Sequence, residues 1–259
     1  MSISRGFLAW ALIVAAALPA AAAAGHLEGY VPAVANGAGK MSSYWTTDVW
    51  IYQQGAGQVQ LWFNPAGRDN TGNLSVVVPL DGPVTFIHDV VASIFHTQGI
   101  GSLHYLADGP VEVVTRTWTP SQDGTGTYGQ TIPGVPLAAA SVTGTGQAGA
   151  LRVVVNQSEG FRANLGLVNV SPNPVTVTVE VFTADGQAAP GSSSFTVLLQ
   201  PFDMTQVNDV LARLDAGSRQ GLIIRAGITS GDGGLVGYLS QVDNTTNDAS
   251  YQEAFVFGP

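Results

Sequence analysis

Between Pro174 and Phe182 the apolar side chains Val175, Val177, Val179 and Val181 alternate with Thr176, Thr178 and Glu180. Strict alternation in residues of high β preference puts one face in a core and the other in water, so this stretch predicts a half-buried strand. Leu165 and Leu167 alternate in the same way upstream. Ser171-Pro172-Asn173-Pro174 lies between the two and reads as a turn, because proline has no backbone N–H to give to a ladder. Phe161–Gly186 therefore predicts a β-hairpin whose second strand ends at the turn signal Asp185-Gly186. An earlier stretch, Trp45–Gly67, carries the same features in the same order. Tyr44–Ile51 aligns with Gly160–Leu167, Val59–Phe63 with Val177–Phe182, and Gly67 with Gly186. Ile87–Val90 then aligns with Val207–Val210, Val113–Trp118 with Gly237–Val242, and Thr127–Gln130 with Ser250–Glu253. A single order of features met twice predicts two copies of one structural unit.

The β pattern breaks at His88–His96, where Asp89 is placed to cap a short helix carrying Val90, Val91, Ile94 and Phe95. Asp209 stands in the same relation to Val210, Leu211 and Leu214. Further strands are expected at Tyr30–Val34, Leu74–Leu80, Ser102–Leu106 and Val111–Trp118, the last two separated by a turn at Ala107–Pro110. The second copy repeats the plan with Phe195–Leu199, Gly221–Ala226, Leu235–Val242 and a final strand around Tyr251–Phe257. The spacing predicts an all-β fold of two tandem immunoglobulin-like β-sandwiches, each with one short helix at its rim. The expected division is a signal peptide over 1–24, a first sandwich over 25–134, a linker over 135–149 and a second sandwich over 150–259. Each sandwich is expected to fold by itself, because the linker carries no strong strand pattern.

The run W-x-T-D-V-W-I-Y at Trp45–Tyr52, the short D-V helix, T-Y-G-Q-T-I-P-G at Thr127–Gly134 and F-R-x-N-L-G-L-V-N at Phe161–Asn169 resemble tandem immunoglobulin-like repeats of exported bacterial proteins. The resemblance covers nearly the whole chain after residue 24. It implies a fold and an exported location, and it carries no site residue with it.

Composition narrows the address. Arg5 followed by the apolar run Phe7–Leu18, then Pro19 and Ala20–Ala24, predicts a cleaved secretory signal and no membrane span in the mature protein. The chain has no cysteine, so neither a disulfide nor a lipid-bearing cysteine is available, which suits a bacterial envelope better than a disulfide-stapled ectodomain. Secreted, periplasmic and cell-surface locations all fit. The formal net charge is −9, and of the 9 basic residues Arg5 leaves with the signal. Nucleic acid is therefore an unfavourable partner.

Candidate chemistry is sparse. Two stretches, Gly124–Gly129 and Gly144–Gly149, match G-x-G-x-x-G, but neither is followed by a helical pattern that would complete a phosphate cradle. His88, His96 and His104 are spaced eight apart without falling on one element. Asp243, Asn244, Asn247 and Asp248 form an oxygen-rich loop that reads either as a calcium site or as an Asx turn. No nucleophile elbow, H-E-x-x-H or catalytic cysteine occurs, so no enzyme is expected. Trp45, Trp50, Trp62 and Trp118 all fall in the first copy. In Val59–Phe63 the alternation sends Val59, Leu61 and Phe63 inward and Gln60 and Trp62 outward, so Trp62 is expected on an open face. Trp50 is the other candidate, because its counterpart in the second copy is Gly166. The leading expectation is an exported non-catalytic interaction or adhesion module with a protein or glycan partner. A carbohydrate-binding module that uses the outward aromatics comes next, and a secreted hydrolase with a carboxylate pair comes third. None of these readings calls for a cofactor.

Overall fold

A computed structural model describes residues 25–40, 42–121, 123–142, 150–217 and 219–256. The expected signal and the second glycine-rich stretch lie outside the described residues. The first half runs β1 (His26–Ala38), β2 (Tyr44–Gln53), β3 (Gly57–Pro65), β4 (Val76–Leu80), β5 (Val84–Ile87), helix α1 (Val90–Phe95), β6 (Gly99–Pro120) and β7 (Thr127–Pro133). β8 (Val135–Pro136), a 3-10 turn at Leu137–Ala139 and β9 (Ser141–Val142) follow. The second half runs β10 (Leu151–Val155), β11 (Phe161–Asn169), β12 (Val175–Phe182), β13 (Phe195–Leu199), β14 (Met204–Val207), α2 (Val210–Arg213), β15 (Leu222–Ser230), β16 (Gly234–Asp243), β17 (Ala249–Glu253) and β18 (Phe255–Val256). The fold is all-β and sandwich-like, with antiparallel pairing in every sheet.

The strand order of the first half recurs in the second. β4-β3-β6-β1 has its counterpart in β13-β12-β15-β10, and β5-β2-β6-β7 in β14-β11-β16-β17. The registers agree residue by residue. Trp50 faces Phe86 on one side and Val114 on the other, as Gly166 faces Gln206 and Tyr238.

One difference between the halves concerns a turn expected at Ala107–Pro110. Here β6 continues through it as one strand of 22 residues. Its leading part pairs with β1 and β3, and its trailing part with β2 and β7, so β6 passes from one layer to the other. Pro110 sits where the β1 register shifts, a position at which no N–H is required of it. In the second half the same passage is broken into β15 and β16 by Gly231-Asp232-Gly233.

The rim helices form as the pattern predicts, with a shared device. Asp89 and Asp209 both adopt left-handed backbone, with φ of 46° and 49°. Left-handed backbone is disfavoured for most side chains and tolerated best by Asp and Asn. The Asp89 carboxylate accepts from Ala92 N at 3.3 Å and caps α1. Asp209 differs: its carboxylate accepts from Gln157 Nε2 at 3.3 Å and makes no cap bond. In both copies a β-strand side chain holds the N–H of the capping Asp. Asp48 accepts from Asp89 N and Asn164 from Asp209 N, each at 3.0 Å.

Over 135–142 the expected linker contributes two short strands to the sheets, on either side of the 3-10 turn. β8 pairs with β1 of the first half, and β9 pairs with β16 of the second. The halves also share apolar packing. Val168, Val170, Met204, Val236 and Tyr238 of the second half belong to the buried cluster built on Val31, Val49, Leu61 and Tyr105 of the first. β11 and β16 are consequently buried on both faces, one face by their own core and the other by the first half.

Candidate functional site

Trp50 sits on β2 between core residues Val49 and Ile51, so its side chain points away from the core. Phe86 lies beside it on β5, ring centroids 5.0 Å apart, and is exposed. Tyr52 and Val84, one pleat further, are exposed as well, and Val114 and Trp118 on β6 are half-buried. The outer face of β5-β2-β6-β7 is thus an aromatic surface. Asp48 lies within it and is nearly covered. One of its oxygens lies 2.7 Å from His88 Nδ1, and the other accepts from Trp118 Nε1 at 2.9 Å. Three donors, counting Asp89 N, fix this carboxylate. His88 itself is largely open to water.

Trp62 also points outward, as its alternation predicts, but it is half-buried and not open. Its indole stacks on His104 at 4.6 Å, and His104 stacks on Tyr30 at 4.5 Å. The three rings form a row across β3, β6 and β1, with His104 Nε2 lying 2.9 Å from Glu28. Burial lowers the His104 pKa from its ordinary value against the pull of the Glu28 charge. The sequence pattern gave the direction of Trp62 correctly and missed the ring on the neighbouring strand that covers it.

The loop Asp243–Asp248 is brought together around a guanidinium. Arg162 donates to Asn244 Oδ1 at 2.8 Å and to Asn247 Oδ1 at 2.7 Å. Asp243 accepts from the backbone of Thr245 and Thr246, and Asp248 from Ala249 N and from Gly129 N of the first half. A calcium ion in this loop would share its oxygens with a fixed positive charge. Asx turns account for the same contacts. Among the described residues no three His, Cys, Asp or Glu side chains gather as a metal site would require.

Arg162 opens onto a cleft of about 530 Å³ between the two halves, a volume within the range of small-ligand sites. Trp45, Lys40 and Gln130 line it from the first half, and Arg162, Gln206 and Tyr238 from the second. No Asp or Glu is among its described lining residues, although acids outnumber bases two to one in the chain. Lys40 is the chain's single lysine. Burial lowers the Arg162 pKa and the nearby Asp209 charge opposes that effect. Tyr238 lies across Gly166, where a Cβ would come within 1.8 Å of its ring, and donates to Gln206 Oε1 at 2.8 Å. At one end the cleft is pinned by Asp203, which accepts from Gly67 N at 2.6 Å and Arg68 N at 3.2 Å. Burial raises the Asp203 pKa against the opposing pull of the backbone N–H groups around it. Sequence reasoning missed this cleft, because its walls come from strands more than a hundred residues apart.

No protein-family model and no curated protein matches the chain. Among the described residues, no helix is long and apolar enough to cross a membrane.

Proposed function

We propose that this chain is an exported, non-catalytic interaction module of the bacterial envelope or extracellular space, built from two tandem immunoglobulin-like sandwiches. The repeated strand order and the paired Asp89 and Asp209 rim turns support the tandem reading. Met1–Ala24 supports export. The observation that carries the function is the open aromatic face of the first half. Phe86 and Tyr52 stand exposed on one sheet with the half-buried Trp50 between them, beside a carboxylate already fixed by three donors. Contiguous exposed aromatic surface on a folded chain marks a place where something else sits.

A second reading, glycan binding, draws on the cleft. Amides, an indole and two cations without an acid suit hydroxyl groups and a carboxylate on a sugar. One experiment separates the two. Purified mature chain is co-sedimented with envelope fragments of the producing bacterium and applied in parallel to a glycan array. Trp50→Ser and Phe86→Ser are expected to weaken retention on the fragments about tenfold, equivalent to about 1.4 kcal/mol, while Arg162→Ala leaves it unchanged. Array binding that is lost in Arg162→Ala and kept in Trp50→Ser moves the function to the cleft. Equal retention of wild type and both aromatic variants overturns the aromatic face.

A further inference from the structure

The outward side chains of β5, β2 and β6 fall into rows across the strands. In one row His88, directly after β5, stands beside Asp48 of β2, which lies opposite Arg116 of β6. In the next row Phe86 lies opposite Trp50, and Trp50 opposite Val114. A polar row thus runs alongside the aromatic one. Successive outward residues of a strand lie about 7 Å apart, so a sugar ring laid on the aromatic row reaches the polar row with its hydroxyl groups.

The second half carries the same polar row without charge. Asn208, Asn164 and Ser240 occupy the places of His88, Asp48 and Arg116. Asn164 holds the N–H of Asp209 at 3.0 Å, as Asp48 holds that of Asp89. The rim turn therefore needs an oxygen at this position and not a carboxylate. What the charge of Asp48 adds is control of His88. An ionised carboxylate can only accept, so the 2.7 Å contact fixes the proton of the neutral ring on Nδ1 and leaves Nε2 as a bare acceptor. The His88 side chain is 65% exposed, and Nε2 has no partner among the described residues. On the other side of Asp48 the half-buried Arg116 donates to Thr127 Oγ1 at 2.7 Å and keeps further N–H groups on the same face.

We propose that this face binds a neutral, β-linked polysaccharide, with a pyranose ring laid on Trp50 and Phe86 and one of its hydroxyl groups donating to His88 Nε2. This rests on the reading of the aromatic face as the binding surface and names the chemistry of its occupant. A β-linked hexopyranose chain is a flat ribbon with C–H groups on its faces and equatorial hydroxyls along its edges. Aromatic rings with a polar border match both features. Charge selects a neutral ligand: Asp48 and Arg116 offset each other within the row, and the net −9 of the chain repels polyanions.

The experiment is titration calorimetry of the purified mature chain with cellohexaose and chitohexaose, with isomaltohexaose as the α-linked control. The expected result is saturable binding of at least one β-linked probe and none of the control. His88→Phe keeps a ring and loses the acceptor, and should weaken binding about tenfold, the effect of one lost hydrogen bond. His88→Gln restores an acceptor and should recover most of the affinity. Both variants should melt with the wild type, because the side chain they replace is open to water. Trp50→Ser should weaken binding at least as much as His88→Phe. No binding of either β-linked probe, equal binding of isomaltohexaose, or unchanged affinity in His88→Phe overturns the proposal, as does binding lost in Arg162→Ala and kept in Trp50→Ser. If no saccharide binds and Trp50→Ser still abolishes retention on envelope fragments, the proposal falls while the face stands as the binding surface for a partner that is not a sugar.

Discussion

Gly166 and Trp50 occupy one structural position with opposite contents, and the difference is set by what lies across the strand. Tyr238 opposes Gly166 and lays its ring over the bare backbone, whereas Val114 opposes Trp50 and leaves room for an indole. Glycine is used here for close approach and not for a turn. Gly166→Ala would drive a Cβ into a buried ring that has no exposed side to retreat to. Overpacking of this kind typically costs about 1–3 kcal/mol, and the loss should appear in a urea melt of the mature chain. An unchanged midpoint would mean that Tyr238 moves freely. The Trp50–Gly166 equivalence was legible in the repeat alignment. The ring over Gly166 was not, because alignment pairs positions along the chain, whereas this contact runs across it.

At the scale of elements, the alternating stretches were legible wherever one face is wet, as in Val175–Val181. β11 was read less completely. Ala163, Leu165 and Leu167 mark its core face, while Asn164 and Gly166 look like a solvent face and are buried, Gly166 beneath Tyr238, with Val168 on the same face packed against the other half. Small and polar residues under a second layer give the same pattern as residues under water, so the sequence does not distinguish them. The 107–110 turn failed for a different reason. Gly109-Pro110 is a strong turn signal, yet a strand changing layers needs a local bulge that the same residues satisfy. Between the halves the polar contact to test is Asp203, which ties β14 to the turn at Gly67. Asp203→Ala removes the acceptor from the partly exposed N–H groups of Gly67 and Arg68, and a loss of about 0.5–1.5 kcal/mol is expected. Burial raises this carboxyl above its ordinary value, so the folded chain holds the proton to higher pH than the unfolded chain does. Stability should therefore fall as pH rises between those two values, and Asp203→Asn should flatten that slope in melts taken across acid pH.

For the molecule as a whole, the shared packing decides how independent the halves are. Separate folding was the expectation, but the second half alone would open Val168, Met204, Val236 and Tyr238 to water. Exposing a large apolar side chain costs about 1.5–3 kcal/mol. The fragment 150–259 should accordingly unfold at lower urea than the same residues in the mature chain, and should bind a hydrophobic dye before it unfolds. A fragment midpoint equal to that of the full chain would show that the covered face contributes nothing.

The passage of β6 between layers also bears on how a chain without cysteine withstands stress. Many exported sandwiches tie their two sheets together with a disulfide across the core. Here the tie is the polypeptide itself, a single strand that is hydrogen-bonded into both layers of the first half. Prying those layers apart means shearing two ladders along one continuous backbone. This tether cannot be reduced, needs no oxidising enzyme to form, and is complete once the chain has paired.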